Sequence, residues 1–225
     1  MEEDNYFKNA AKEIACELSS INKEWNGKHA ILDMKNSGYN QWRQMEWIGW
    51  YFQFLCEKKL DKIMKIPGKE YGNVKFDGFK IIPWDFKCHI ENDYKGKEKT
   101  ELIINDRAAI DKAIEDYGSV GLVIGTGNAK YNDEDRTFQN WVEELKGGKS
   151  NYEKERIERG ASSRLRKVSF NLKEIVFVKI SKDNLKYLGT YNQGRNSNGN
   201  PREPKYELDL KNLDKFEHYS YSKFC

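Results

Sequence analysis

The order of predicted helices and strands places this chain in the α/β class, with a mixed central β-sheet flanked by helices. Apolar residues at helical spacing come first along the chain, and compact apolar runs at 120–125 and 174–180 are typical of buried strands. Helical segments precede and separate these runs. No linker or internal repeat divides the 225 residues, so we expect a single domain over 1–225.

The first quarter of the chain is predicted to be mostly helical. Apolar residues near helical spacing predict an amphipathic helix over 4–25, followed by a loop at 26–38. A second helix is predicted over 40–61. It is apolar on nearly every side, as expected of a helix buried in the core, and the acid Glu46 lies in its most aromatic part.

The middle of the chain is predicted to alternate strands with one helix. Residues 73–89 fit two short strands joined by a tight bend, and 100–104 fits another strand. Asn105 or Asp106 is a suitable N-cap for a helix that ends at Gly118. The buried strand at 120–125 follows directly.

The last third contains two more predicted helices, at 138–146 and 151–167, of which the second is rich in arginine. The buried strand at 174–180 comes next. A long polar loop is expected at 189–205, followed by a short strand with alternating apolar residues at 206–210.

Composition excludes several classes of protein and leaves others open. With 39 Lys+Arg against 36 Asp+Glu, the net charge of +3 excludes neither nucleic-acid nor small-molecule partners. The four cysteines form no Cys-x-x-Cys pair and the three histidines are isolated, which argues against a structural zinc site and a disulfide scaffold. No signal peptide or membrane span is expected, so we predict a cytoplasmic protein with no membrane partner.

An acid-x-Lys pair on a predicted strand is the strongest chemical signal in the chain. Asp85 and Lys87 are two residues apart, so both side chains point to the same face of the strand. Asp77 lies across the predicted bend and would bring a second carboxylate to the same place. Mg²⁺ in phosphoryl-transfer sites usually takes one or two carboxylates together with substrate phosphate and water, and a neighbouring lysine would hold or polarise that water.

The same pattern also arises by chance in a charged chain. Acid-x-Lys occurs seven times: Asp33/Lys35, Glu57/Lys59, Asp85/Lys87, Asp93/Lys95, Glu144/Lys146, Glu203/Lys205 and Asp209/Lys211. Only the pair at 85 and 87 lies in a core-like strand, where charges are costly unless they have partners or a function. On chemistry alone, a metal site and a solvated sheet face with a salt bridge both remain open.

These residues resemble the motif of the PD-(D/E)xK nuclease superfamily, and the resemblance covers 40–125. Asp77 matches the first acid of that motif, Asp85 the second acid and Lys87 the lysine. Glu46 matches the acid on the N-terminal helix that many members carry. The resemblance implies a restriction-endonuclease-like core whose Mg²⁺ is held by Asp77 and Asp85, with catalysis by these residues, Lys87 and Glu46.

Two features depart from the motif. Phe76 stands where the family has proline, and Pro83 precedes the second acid instead of the first. Seven residues separate the two acids, fewer than in many members. The single-domain size resembles orthodox Type II restriction endonucleases, which implies a homodimer that cuts double-stranded DNA at a palindromic site.

Two further titratable residues lie near this motif. His89 shares the predicted face of Asp85 and Lys87; a neutral, hydrogen-bonding histidine is the preferred interpretation, and contact with metal-bound water or a phosphate is the alternative. Glu57 is a rival for the helix acid. Because Lys58 and Lys59 follow it, we expect it to form a solvated pair instead.

Two regions and one isolated arginine are predicted to contact DNA. In the arginine-rich segment the candidate phosphate contacts are Arg159, Arg164, Arg166 and Lys167, whereas its first half also fits a solvated, charge-balanced helix. The loop at 189–205 carries side chains suited to reading bases: Asn192, Gln193, Arg195, Asn196, Asn198 and Arg202. Arg43 would approach the minor groove or a dimer partner, or lie on the exposed start of its helix.

Three functions fit these observations. The leading hypothesis is a Mg²⁺-dependent, sequence-specific DNA endonuclease. The second keeps the same site and acts on branched or damaged DNA, or on RNA. The third is a nucleic-acid-binding module without chemistry, in which the Asp-x-Lys pair is a surface ion pair.

Overall fold

The computed structural model describes residues 6–66, 76–132, 134–161, 165–195 and 199–223. Its helices are α1 (Tyr6–Leu18), α2 (Gly27–Asn36), α3 (Trp47–Leu60), α4 (Arg107–Tyr117), α5 (Thr137–Leu145) and α6 (Asn151–Glu158). Its strands are β1 (Glu24–Asn26), β2 (Gly78–Lys80), β3 (Ile82–Ile90), β4 (Glu101–Asp106), β5 (Ser119–Tyr131), β6 (Lys167–Ser181), β7 (Gly189–Tyr191), β8 (Lys205–Asp209) and β9 (Glu217–Tyr221). None of the described helices combines the length and apolar character needed to span a bilayer.

The strands form two sheets. The central sheet has the order β1–β6–β5–β3–β2, and β9 pairs with a different stretch of β6. β3 and β5 are parallel, whereas β6 is antiparallel to β5, so the predicted mixed central sheet flanked by helices is confirmed. β4 and α4 form the crossover that parallel neighbours require. A second sheet has the order β4–β8–β7.

Both faces of the central sheet are buried. One face packs against α1, α2 and α3 in an aromatic core, and the other packs against α4 and the second sheet. Burial on both sides explains why 120–125 and 174–180 are continuous apolar runs instead of alternating ones. The two strands are longer than predicted and occupy 119–131 and 167–181.

Two glycines on β5 make the aromatic core possible. A Cβ atom at Gly121 would lie 2.4 Å from the ring of Trp84, and one at Gly125 would lie 2.8 Å from the ring of Phe52. Both distances are shorter than any real van der Waals contact. β5 therefore needs residues without side chains where these rings cross it.

The predicted loop at 26–38 is wrong, because α2 occupies most of it. Asn26 caps this helix by accepting hydrogen bonds from the backbone of the first turn. Ala30, Ile31 and Met34 then bury one face at helical spacing. The first helix is also shorter than predicted, since it ends at Leu18 and is followed by β1.

The predicted helix at 40–61 is broken into two pieces. A 3₁₀ helix covers Asn40–Arg43, and the backbone at Gln44 is extended (φ −75°, ψ 139°), so the α-helix cannot be continuous there. α3 begins at Trp47. Glu46 therefore lies at the N-cap of α3 instead of inside a helix, and its side chain makes no capping hydrogen bond.

The predicted helix at 151–167 also stops early. α6 ends at Glu158, and Gly160 has a left-handed conformation (φ 65°), which is a common way to end a helix. Lys167 begins β6. The arginine-rich half of this segment is therefore not helical among the residues that the structure describes.

Candidate active site at the edge of strand β3

The predicted alternation along β3 is confirmed. Trp84 and Phe86 enter the aromatic core beneath α1 and α3, which leaves Asp85 and Lys87 on the opposite face. Asp85 is only 2% exposed, whereas the Lys87 side chain is 27% exposed. The Asp85 carboxylate is thus buried, and the Lys87 side chain next to it is partly exposed to solvent.

Asp85 and Lys87 form an ion pair with 2.7 Å between Lys87 Nζ and Asp85 Oδ2. That oxygen is buried and accepts no hydrogen bond of good geometry from any described residue. Burial alone would lower the pKa of Lys87, but the carboxylates of Asp85 and Asp77 outweigh it and raise the pKa. Lys87 is therefore an ammonium group at neutral pH, and Asp85 Oδ2 retains capacity for another donor or a cation.

Asp77 reaches the same place from the segment before β2. Its backbone N–H donates to Trp84 O (2.9 Å), which holds Asp77 against β3. Its Oδ2 accepts a hydrogen bond from the backbone N–H of Phe86 (2.7 Å), and its Oδ1 accepts one from Gln53 Nε2 (2.7 Å). The bend between β2 and β3 has Ile81 at φ 65°, a strained conformation for a β-branched residue.

Asp77, Asp85 and Lys87 together form what we call the carboxylate–lysine cluster. Burial raises the pKa of Asp77 well above its ordinary value, and the charge of Asp85 raises it further. A negative charge on Asp77 is therefore disfavoured until a cation joins the site. The positive charge of Lys87 acts in the opposite direction on the pKa of Asp77, but it does not outweigh burial and the charge of Asp85.

The donor set of this cluster fits Mg²⁺. Among the described residues, no three His, Cys, Asp or Glu side chains gather as a metal site. The cluster instead offers two carboxylates, the number that Mg²⁺ takes when substrate phosphate and water complete its coordination. The observation that supports this fit is the buried Asp85 Oδ2, which lies 2.7 Å from Lys87 Nζ and accepts no further hydrogen bond from the described residues.

Glu46 does not join the cluster. Its side chain is 71% exposed and forms an ion pair with Lys167 at the start of β6. The α3 residue that contacts Asp77 is Gln53, seven positions further along the chain. At 1.5 Å per residue, this places Glu46 about 10 Å away along the helix axis.

Glu57, expected from the sequence to form a solvated pair, instead shares a hydrogen-bond partner with the cluster. Gln53 Nε2 donates to Glu57 Oε1 (2.9 Å) as well as to Asp77, and the Tyr39 hydroxyl donates to the same Glu57 oxygen (3.3 Å). Burial raises the pKa of Glu57. The signal that would have found it is the i,i+4 spacing of Gln53 and Glu57, which puts both on one helix face.

His89 lies two residues beyond Lys87 on the same face of β3. It is 4% exposed, and its Nε2 lies 2.9 Å from the backbone oxygen of Lys99. This geometry agrees with the preferred interpretation of a hydrogen-bonding histidine. His89 also lies in the wall of a cleft of about 480 Å³. Its polar lining includes Glu91, Thr126, Asn128 and Lys173.

The predicted recognition loop begins beside the cluster. β7 and β8 pair as a hairpin, and a bridge between Arg195 and Pro201 extends the pairing into the loop. At the base of the hairpin, Lys205 Nζ lies 3.7 Å from Asp106 Oδ1. The charge of Asp106 is among those that raise the pKa of Lys87. The base of the hairpin is thus paired, through Lys205, with Asp106 at the end of β4.

Several side chains of this loop already have partners within it. Gln193 Nε2 donates to Glu203 O (2.8 Å), and Arg195 donates to Gly199 O (2.8 Å). Asn192 and Arg202 are exposed. The remaining two predicted base-reading residues, Asn196 and Asn198, lie outside the described residues.

The described members of the predicted phosphate contacts each have a partner within the protein or are exposed. Arg159 is exposed and donates to Glu155 O (3.2 Å), whereas Arg166 donates to Gln139 Oε1 (3.2 Å). Lys167 pairs with Glu46. Arg164 lies outside the described residues, and Arg43 is exposed. Its guanidinium carbon stacks 4.7 Å from the ring centre of Trp42.

The chain matches no protein-family model, no curated protein and no solved structure. Its chemistry is therefore inferred from side-chain geometry. Two carboxyl groups and one ammonium group meet at the edge of a sheet, next to a hairpin that carries amide and guanidinium groups. This arrangement can hold a divalent cation and place it against an anionic substrate.

Proposed function

We propose that this chain is a Mg²⁺-dependent endonuclease that hydrolyses phosphodiester bonds of double-stranded DNA at a specific palindromic site. The observation that carries the proposal is the convergence of Asp77 and Asp85 beside Lys87 at the edge of β3. The proposal includes a core like that of restriction endonucleases. It also includes a homodimer, because a two-fold axis would place one site on each strand.

Asp77 and Asp85 would hold Mg²⁺. When bound, the metal would stabilise charge on the phosphoryl group and acidify a coordinated water. The Phe86 N–H and the Gln53 amide hold the Asp77 carboxylate in place from two sides. Because Lys87 is protonated, it donates hydrogen bonds: it orients the attacking water and stabilises negative charge on the phosphate, and it does not act as the general base.

The loop of the β7–β8 hairpin and the acid Glu57 on α3 have supporting roles in the proposed reaction. The loop at 192–204 would enter a DNA groove, where amide and guanidinium side chains read base edges. Its attachment through Lys205 and Asp106 keeps it next to the cleavage site. Glu57, through its shared contact with Gln53, takes the supporting place that the sequence analysis assigned to Glu46.

The direct test is incubation of the protein with long duplex DNA, with and without Mg²⁺, followed by sequencing of the product ends. We expect discrete fragments in the presence of Mg²⁺ only. Lys87→Ala should abolish cleavage. Lys95→Ala is the matched control, because Asp93 and Lys95 show the same spacing in an exposed turn where Asp93 Oδ1 accepts from the Lys95 backbone N–H (2.8 Å).

Other outcomes would point to the other functions. Nicking confined to branched or damaged DNA, or cleavage of RNA, would favour a nuclease that uses the same catalytic site on a different substrate. DNA binding without Mg²⁺-dependent cleavage would favour a binding module. Full cleavage by a folded Lys87→Ala protein would remove the carboxylate–lysine cluster from the mechanism.

A further inference from the structure

The central sheet presents a row of polar side chains beside the carboxylate–lysine cluster. In the strand register, His89 on β3 is opposite Thr126 on β5, and Thr126 is opposite Glu174 on β6. Residues in register point to the same face of a sheet, and His89 shares the face of Lys87 because the two are two positions apart. The row therefore lies about 7 Å along β3 from Lys87.

Two surface segments enclose this row in the cleft of about 480 Å³, which we call the His89 cleft. The first wall lies in 96–100, where the backbone oxygen of Lys99 is 2.9 Å from His89 Nε2. The second wall is the 3₁₀ segment Leu210–Lys215, whose Leu210 N–H donates to Thr100 O (3.0 Å). The apolar part of the lining consists of Val176, Leu210 and Leu213. A volume of this size is typical of a site for a small organic group.

The polar groups of the row are available to a ligand. A carbonyl oxygen only accepts, so Nε2 of a neutral His89 carries the proton and Nδ1 is an acceptor. Within the described part of the chain, neither His89 Nδ1 nor the Thr126 hydroxyl makes a hydrogen bond, and the Glu174 carboxylate has no hydrogen bond or ion pair. His89 is 4% exposed and Thr126 is 5% exposed. Because buried polar groups normally have partners, a ligand that enters the cleft would satisfy groups that the fold leaves unpaired.

The charge of the cleft argues against a phosphate as its ligand. Its described lining contains three lysines and three glutamates: Lys99, Lys173, Lys211, Glu91, Glu98 and Glu174. Lys173 Nζ lies 2.6 Å from Glu91 Oε2, and Lys211 Nζ lies 3.2 Å from Glu98 Oε2. With histidine counted as neutral, the lining has no net charge and gives no electrostatic preference for an anion. A neutral group with polar edges and apolar faces fits it better, and a nucleobase is such a group.

We propose that the His89 cleft binds one nucleobase that has turned out of the double helix, within about two nucleotides of the phosphate that is cut. The distance of about 7 Å from Lys87 corresponds to about two steps of 3.4 Å along one DNA strand. His89 Nδ1 and Glu174 would accept hydrogen bonds from an exocyclic amino group, so we expect adenine, cytosine or guanine instead of thymine.

The buried position of these acceptors is the reason that the base must leave the stack. A stacked base exposes its edges only in the grooves of the duplex, whereas His89 and Thr126 lie at the bottom of a cleft. The proposal rests on the proposed function for its substrate. Unstacking of a base on binding can nevertheless be measured without cleavage.

The first experiment uses 2-aminopurine, whose fluorescence is quenched by stacking and recovers when the base is unstacked. A duplex is selected from a random pool by its binding to the protein in EDTA, and 2-aminopurine is then placed at each position in turn. We expect the wild-type protein to raise the fluorescence at one position and at no other. When Mg²⁺ is added, the cut should fall within about two nucleotides of that position.

Two nearly isosteric variants connect the fluorescence signal to the cleft. Thr126→Val should weaken affinity for the duplex about fivefold and Glu174→Gln about tenfold, and both should reduce the rise in fluorescence, because each removes a hydrogen-bonding group. Glu24→Gln is the matched control, since it makes the same change at an exposed position of β1 outside the cleft. Glu174 is only partly buried, so Glu174→Gln decides the matter if Thr126→Val fails to fold.

A second experiment tests recognition of the amino group. At the responding position, the natural base is replaced by the same base without its exocyclic amino group. Wild-type affinity should fall about tenfold, whereas the affinity of Glu174→Gln should change less than about threefold. A mismatch at this position should instead strengthen wild-type binding, because less pairing energy is lost when the base turns out.

The outcomes separate this inference from the proposed function. A fluorescence rise that depends on Thr126 and Glu174, without Mg²⁺-dependent cleavage, would support the base-binding cleft and overturn the nuclease. Cleavage without a rise at any position, or with a rise unchanged in both variants, would overturn the inference alone. A thymine at the responding position would also overturn it. Absence of both DNA binding and cleavage would overturn the two proposals together.

Discussion

Two buried groups of carboxylates and cations, both within the part of the chain that the structure describes, behave in opposite ways. In the Glu153 network, Glu153 accepts hydrogen bonds from Arg136 (3.1 Å), Gln139 (2.9 Å) and Arg156 (2.8 Å to the same oxygen, 3.0 Å to the other). These bonds, first those from Arg156, lower the pKa of Glu153 to about 2. In the carboxylate–lysine cluster, burial raises the pKa of Asp77 instead.

The difference shows what each group does. The Glu153 carboxylate is stabilised as an anion by donors to both of its oxygens, so the network joins α5 and α6 around a satisfied carboxylate, although Arg136 Nε is buried without a hydrogen-bond partner among the described residues. The carboxylate–lysine cluster holds two acids against one ammonium group, and the buried Asp85 Oδ2 lies 2.7 Å from that group, Lys87 Nζ. A buried carboxylate surrounded by cationic and amide donors indicates a structural role, whereas two buried carboxyl groups beside one ammonium group indicate a site for a ligand.

The largest expected difference between variants of the two groups is in the rate of DNA cleavage. Asp85→Asn should reduce DNA cleavage by about 10³-fold or more, which corresponds to about 4 kcal/mol of barrier, because it removes a metal ligand. Arg156→Met should leave the cleavage rate per folded molecule unchanged. Rates are measured at saturating Mg²⁺, with the folded fraction taken from circular dichroism. Equal losses in the two variants would contradict the assignment of separate roles.

Stability should show the reverse contrast. Arg156→Met leaves a buried carboxylate with fewer donors, so it should lower the free energy of unfolding by about 3 kcal/mol. Asp77→Asn should change it by less than about 1 kcal/mol, because the charge of Asp77 is disfavoured in the folded state. Urea denaturation at neutral pH measures both. A large loss of stability in Asp77→Asn would identify that residue as structural.

The contributions of Glu153 and Asp77 to the free energy of unfolding should change with pH in opposite directions. The folded pKa of Glu153 lies below its ordinary value of 4.5, so its stabilising contribution is present above pH 4.5 and is lost as pH falls towards 2. The folded pKa of Asp77 lies above its ordinary value of 3.8, so its contribution is present below pH 3.8 and is lost as pH rises through the folded pKa. Glu57 shares the direction of Asp77.

Unfolding free energies of wild type, Glu153→Gln and Asp77→Asn across this pH range test both signs. Glu153→Gln should flatten the loss of stability in acid. Asp77→Asn should remove only part of the decline at higher pH, because Glu57 remains. Parallel pH profiles for all three proteins would show that neither carboxyl titrates as described.

The smallest expected effect is stabilisation by the metal itself. At a Mg²⁺ concentration ten times Kd, binding should raise the free energy of unfolding by about 1.4 kcal/mol at neutral pH. The gain should shrink in acid, because protonation of Asp77 competes with the cation. Thermal denaturation should show the gain in wild type and Glu153→Gln, and its loss in Asp77→Asn. A gain retained in Asp77→Asn would place the metal elsewhere.

Local periodicity and turn chemistry account for what could be predicted from the sequence. Gly118 was predicted to end α4, and its left-handed conformation (φ 80°) confirms this. The alternation of β3 correctly put Asp85 and Lys87 on one face. The loop at 26–38 and the helix at 151–167 were wrong because a side-chain cap at Asn26 and a left-handed Gly160 outweighed composition.

By itself, the sequence determined the α/β class, the buried strands and the shared face of Asp85 and Lys87, since each depends on residues a few positions apart. Only the tertiary structure decided that Gln53 and Glu57, instead of Glu46, lie beside Asp77. It also decided that Glu46 pairs with Lys167 at the start of β6. These outcomes depend on how helices cross sheets and which segments become neighbours, and that long-range packing leaves no periodic trace in the chain.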